Sequence, residues 1–224
     1  MKRLVFFSFI LSYVVSALQA ELVKQYFPTG ELKSETHYRD HTHTATKEGI
    51  KEGIEKVYYI GGQLAYEINY KNGKRDGVMK WYDRKGHLLE EMPYKAGKRH
   101  GVEKSYFPSG KLKHTVRYID DKKEGPEKVF FENGQLASIV TYKNGKKEGI
   151  QKEYTVDGKL FTQVRYVNNY KEGMQKWYDK QGNVVKTELF KMDRPVRLLA
   201  KLRNKTDDVK IIVKGLDFSP KAPK

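Results

Sequence analysis

The residues best placed to do chemistry in this 224-residue chain are lysines. Lys56, Lys80, Lys104, Lys128, Lys152 and Lys176 stand 24 residues apart, each two positions after Ile54, Val78, Val102, Pro126, Ile150 or Met174. Ammonium groups repeated at fixed spacing can attract a linear polyanion or an acidic surface, with an affinity that falls as salt screens them. Trp81 and Trp177 share one repeat position and are candidates for stacking contacts beside that rail. A second basic series, Lys51, Arg75, Arg99, Lys123, Lys147 and Lys171, runs next to an acidic one made of Glu52, Asp76, Glu124, Glu148 and Glu172, with His100 in the remaining place. Lysine stems also cover apolar or aromatic surface while their heads stay in water, so each basic series has a structural reading beside the ligand-binding one.

Other chemistry is scarce. His37, Asp40, His41 and His43 crowd together in HYRDHTH, and imidazoles at such spacing can bind zinc, copper or nickel when a loop makes them converge. A solvated insertion near the end of the array is the better account of the segment. With no cysteine in the chain, thiolate metal sites, disulfides and lipid attachment at an N-terminal cysteine are excluded. No nucleophile elbow, His-Glu-x-x-His pair or phosphate loop occurs, and the carboxylates fall on repeat positions rather than as an isolated facing pair. The sequence points to no catalytic residue and no cofactor.

The elements that carry these lysines are marked by glycine. Gly62, Gly86, Gly110, Gly134, Gly158 and Gly182 recur every 24 residues, each with an aromatic ring four positions before, Leu or Val two after and another ring eight after. Tyr26, Gly30, Leu32 and Tyr38 form a seventh copy with eight extra residues before the next. Within a copy, Leu64, Tyr66, Ile68 and Tyr70 alternate with more polar residues, the period of a half-buried strand. Asn72-Gly73 and Asn144-Gly145 signal tight hairpin turns in which both central residues have positive φ. Pro108-Ser109-Gly110 suits a type I turn followed by a left-handed glycine, which brings the ring four before opposite the leucine two after. The expectation is an all-β, elongated, single-layer meander of about seven β-hairpins, spanning on the order of 65 Å.

The ends differ from the array. Residues 1–20 carry Lys2 and Arg3, an apolar run from Leu4 to Val15 and a small-residue stretch ending at Ala20, the layout of a secretory signal peptide. The run is shorter than the roughly 20 residues that cross a bilayer, so no transmembrane span is expected after cleavage. The array is expected over 21–190, with an insertion near 39–50, and a C-terminal cap and basic tail over 191–224, including a short helix at VRLLAKL and a strand at VKIIV. Net charge is +16, or +14 without Lys2 and Arg3, which favours an acidic protein, an anionic envelope polymer or an anionic lipid surface as partner. Export makes nucleic acid the least natural of the anionic partners.

The units YFPSGKLKHTVRY, FFENGQLASIVTYKNGKKEG and YKNGKRDGVMKWY resemble MORN-type repeats in their bacterial variant form, sometimes labelled an antitoxin family. The resemblance covers residue 26 to about 190. It implies tandem antiparallel hairpins, a binding or scaffolding role and, for some members, contact with anionic lipids; it brings no catalytic residues. Together with the leader, these features describe an exported, non-enzymatic binding module of the periplasm, cell surface or exterior. An antitoxin-like or immunity-like protein that neutralises one partner is the alternative.

Overall fold

A computed structural model describes residues 21–39 and 49–196. Over that span the chain forms one continuous antiparallel sheet of 20 strands and no helix. Seven hairpins build it. They pair Glu21–Tyr26 with Leu32–Arg39, Ile50–Tyr58 with Leu64–Lys71, Gly77–Tyr82 with Leu88–Lys95, and Gly101–Tyr106 with Leu112–Ile119. The remaining three pair Gly125–Phe130 with Leu136–Lys143, Gly149–Tyr154 with Leu160–Val167, and Gly173–Tyr178 with Val184–Lys191. The leader, Asp40, His41, His43 and residues 197–224 lie outside the described residues; of the expected cap, Arg194–Val196 forms a short strand paired with Val184–Lys191.

Each hairpin turns at the periodic glycine. Gly110, at φ 79°, donates its amide to Phe107 O at 2.8 Å, and Phe107 N donates to Lys111 O at 2.8 Å. This is the type I turn closed by a left-handed residue that the sequence implies, where a Cβ would be penalised. Register then slips by one: Tyr106 pairs with Leu112 and Ser105 with His114, leaving Lys113 as the bulged residue. All seven copies repeat this geometry, including the ring-to-leucine (or valine) pairing.

Between hairpins lies the second turn. Asn72 (φ 51°) and Gly73 (φ 73°) are both left-handed, as are Asn144 and Gly145. A two-residue strand, Lys74–Arg75, returns from the turn, and Gly77 at φ 125° bends the chain into the next hairpin. The long strands of adjacent hairpins therefore pair at their centres, as in Tyr66 with Trp81 and Glu67 with Lys80. Where the first two hairpins meet, Tyr38 pairs with Lys51 and Arg39 with Ile50, so the ladder runs on from one hairpin to the next.

Strand alternation gives the sheet two unlike faces. One is packed: Ile68, Met79, Met92, Val116 and Tyr118 form its central cluster, with Tyr66, Tyr70, Trp81 and Tyr94 against it. Ser34, Thr36, Glu55, Thr162 and Gln175 are buried on the same face, so the thin core is held partly by hydrogen bonds. None of the described buried side-chain polar atoms lacks a partner. The other face is open and carries the lysine series.

Candidate functional site

Pairing brings the periodic lysines into a column across the open face. In order across the strands it runs Glu35, Lys56, Glu67, Lys80, Glu91, Lys104, Thr115, Lys128, Ile139, Lys152, Gln163, Lys176, Thr187. Lys24, opposite Glu35, is a further member that the 24-residue spacing does not reach. Its signal in the sequence is the same two-residue offset before a ring, here Tyr26, hidden by the longer first interval.

The column changes character along its length. In the N-terminal half, Lys24 pairs with Glu35 at 3.1 Å and Lys80 with Glu67 at 3.6 Å. The same carboxylates accept tyrosine hydroxyls: Tyr58 to Glu35 at 2.9 Å, Tyr82 to Glu67 at 3.4 Å and Tyr106 to Glu91 at 2.7 Å. Burial, reinforced by these carboxylates, pushes the Tyr58 and Tyr106 hydroxyls up to about 12. From Thr115 onward the residues between lysines are neutral, and Arg117 and Arg165 add charge opposite Val102 and Ile150. Val102, Ile150 and Met174 are 47%, 54% and 42% exposed, so a row of uncovered apolar side chains runs beside the C-terminal lysines. At the bend between the fourth and fifth hairpins, Val102, Thr115, Arg117, Pro126 and Lys128, together with Glu124, line a cleft of about 370 Å³. This stretch offers cations and apolar surface side by side, with no carboxylate facing Lys128, Lys152 or Lys176 along the column.

The second basic series is structural. Lys51, Arg75, Arg99, Lys123, Lys147 and Lys171 lie over Tyr70, Tyr94, Tyr118, Tyr142, Tyr166 and Phe190 of the next strand, 4.2 to 5.2 Å from the ring centres. Such cation–π contacts contribute about 0.5–1 kcal/mol each when partly exposed. The acidic series is also used within the fold. Glu52, Asp76, Glu124, Glu148 and Glu172 accept the amide of the first residue in the following tight turn, as Glu124 does from Asn144 at 2.8 Å. His100 breaks that series because the turn residue it faces is Asp120, whose carboxylate lies 3.4 Å from the imidazole. A carboxylate at position 100 would meet a like charge.

Other candidate residues have structural partners. Trp81 packs against Tyr66 with ring centres 6.3 Å apart, and Trp177 lies under Lys186 at 4.4 Å. Both tryptophans belong to the packed face and are turned away from the lysine column, because each is sequence-adjacent to a column lysine and strand neighbours point to opposite sides. Of the three metal candidates, His37 is described, and its Nδ1 lies 2.9 Å from Ile54 O. No group of three or more potential ligands gathers among the described residues.

Sequence reasoning also missed a charged cluster inside the packed face. His114 Nε2 lies 3.0 Å from Glu127 and Nδ1 3.4 Å from Glu103, while Lys123 reaches the same Glu127 oxygen. Glu103 and then Glu127 hold the imidazole up at about 9. Burial would raise the Glu127 carboxyl, but His114, Lys123 and Tyr142 outweigh it and hold it at about 2. The strand register that brings these residues together has no local sequence mark.

Fold and surface together define a single-layer β-hairpin repeat protein with one packed and one open, cationic face. The chain belongs to the MORN repeat variant family, whose model matches residues 22–40, 51–72, 75–96, 99–120, 123–144 and 171–192. The unmatched stretch 147–168 nonetheless folds as the same hairpin, in the same register. MORN repeats are generally protein-binding or membrane-binding modules and generally not enzymes. No curated protein matches the chain significantly. Among solved structures, the chain is similar to S. aureus TarM, at 15% identity over 43% of this chain and 19% of that one, with a TM-score of 0.30. A mutant TarM in complex with fondaparinux, alpha-GlcNAc-glycerol and UDP gives a TM-score of 0.31 at the same identity and coverage.

Proposed function

We propose that this protein is an exported binding module of the cell envelope or exterior, and that it holds an acidic protein partner along the C-terminal half of its open face. The carrying observation is the loss of carboxylates from the lysine column: Lys128, Lys152 and Lys176 stand between Thr115, Ile139, Gln163 and Thr187. Uncompensated cations beside exposed Val102, Ile150 and Met174 favour a partner with both acidic and apolar groups. The leader-like residues 1–20 support export.

The test uses the chain as bait against an envelope fraction, beside a variant carrying Lys104→Gln, Lys128→Gln, Lys152→Gln and Lys176→Gln. The native chain retains an acidic protein at fixed stoichiometry and releases it as salt rises, whereas the variant folds normally and retains about a tenth as much or less. Equal capture by both proteins would remove the open face from the function. Localisation is tested separately, by N-terminal sequencing of the mature protein; a chain that still begins at Met1 in the cytoplasm overturns export.

A further inference from the structure

The tight-turn tips carry a charge pattern that the fold does not use. Lys71 stands directly opposite Lys74, Lys95 opposite Lys98 and Lys143 opposite Lys146. Like charges facing one another across a strand pair destabilise it, so a purely structural edge would favour opposite signs here. All six lysines are exposed, and none has its ammonium group in a hydrogen bond or ion pair among the described residues. Successive tips also stack. The stem of Lys74 lies 3.6 Å from the point where a side chain on Gly97 would begin, so the lysine of one turn packs at van der Waals distance from the next turn. The ammonium groups therefore line one margin of the sheet, at intervals of about 10 Å per hairpin.

The chemistry of the tips selects the kind of ligand. Their backbone amides are already taken: Asn72 N by Glu52, Gly73 N by Lys51 O, Ala96 N by Asp76 and Gly97 N by Arg75 O. No amide remains to cradle a single phosphate, and each tip offers only two flexible cations against one carboxylate pinned beneath the turn. A small anion gains little from that arrangement in water. A chain molecule crossing several tips sums the contacts and releases counterions at each. The pattern is interrupted at Asp120-Asp121, where those carboxylates face His100 and Arg99, and at Asn168-Asn169, where Val167 pairs with Tyr170.

We propose that this margin, centred on Lys71, Lys74, Lys95 and Lys98 and continued by Lys143 and Lys146, binds a linear phosphate-type polyanion. The open face and the margin then form two separate surfaces, so one molecule can tether an acidic protein to an anionic polymer. The test measures binding of long-chain inorganic polyphosphate to the full chain as salt is varied. Two variants, each four charges less basic, are compared: Lys71→Gln/Lys74→Gln/Lys95→Gln/Lys98→Gln at the tips and Lys104→Gln/Lys128→Gln/Lys152→Gln/Lys176→Gln on the open face. The tip variant binds about tenfold more weakly, with a log-log salt slope smaller by about three, while the face variant stays within about threefold of the native chain. A further variant, Lys71→Glu/Lys95→Glu, turns two like pairs into opposite ones, so it folds without the repulsion and loses binding. Equal losses in the tip and face variants would reduce the effect to net charge. Unchanged binding by the tip variants, or binding by the native chain to anionic phospholipid vesicles but not to polyphosphate, would also overturn the proposal.

Discussion

Gly101 and Gly110 look equivalent in the sequence but meet different surroundings. Gly110 has φ 79° and open space where a side chain would stand, whereas Gly101 has φ 126° and a Cβ there would lie 2.7 Å from Pro93 Cγ. Gly110→Ala therefore incurs backbone strain alone, about 1–2 kcal/mol. Gly101→Ala adds a clash with a rigid ring and costs more, about 2–4 kcal/mol. Thermal melts that rank the two in the opposite order would contradict this account of the bend between hairpins. Ala96 is the converse case. It holds φ 50° where Asn72 and Asn144 stand in other copies, so Ala96→Gly is expected to raise stability by about 0.5–1 kcal/mol, measurable by urea unfolding.

The hairpins themselves were largely legible, because turn chemistry and strand period act within one copy. Asn-Gly pairs, the periodic glycine and the alternation around Ile68 each report a local backbone requirement. What stayed hidden depends on the contact between copies. Tyr82 donates its hydroxyl to Glu67, 15 residues earlier, and His114 Nε2 lies 3.0 Å from Glu127, 13 residues later. Neither contact follows from composition until adjacent hairpins are placed in register. The same is true of the split in the lysine column: Glu67 and Glu91 become its neighbours only once strands are paired. His114 gives this inter-hairpin contact a pH signature. Its pKa is raised from 6.5 to about 9, so its contribution to stability is complete below about pH 6.5 and is lost as pH rises through 9. Glu127, lowered from 4.5 to about 2, contributes above about pH 4.5 and loses that contribution as pH falls through 2. His114→Gln should cost about 1–3 kcal/mol near pH 6, and its melting curve should approach the native one near pH 10. A constant difference across that range would show that the imidazole acts by packing alone.

At the scale of the whole molecule, stability is expected to be a sum over hairpins and their contacts, because each hairpin touches only its neighbours in the ladder. Removing one complete period is therefore a sharper test of the architecture than any point change. Deleting residues 125–148 joins Glu124 to Gly149 and leaves every turn in its own sequence context. Strand Gly149–Tyr154 then takes the place of Gly125–Phe130 beside Leu112–Ile119, so Gln151 replaces Glu127 next to His114, which keeps Glu103. Arg99 keeps Tyr118, Lys123 lies over Tyr166 instead of Tyr142, and the open face loses Lys128 but not Lys152 or Lys176. The shortened protein should remain a β-sheet by circular dichroism, melt at a somewhat lower temperature and contract by about 10 Å along its length in solution scattering. Deleting 125–136 instead removes half a period. It joins Glu124 to Ala137, so the second strand of a hairpin stands where a first strand and its bend belong, and the packed set of residues is displaced. That protein should unfold or aggregate. If both deletions behaved alike, the repeat would not be the unit of folding, and the lysine surfaces it generates would lose their common register.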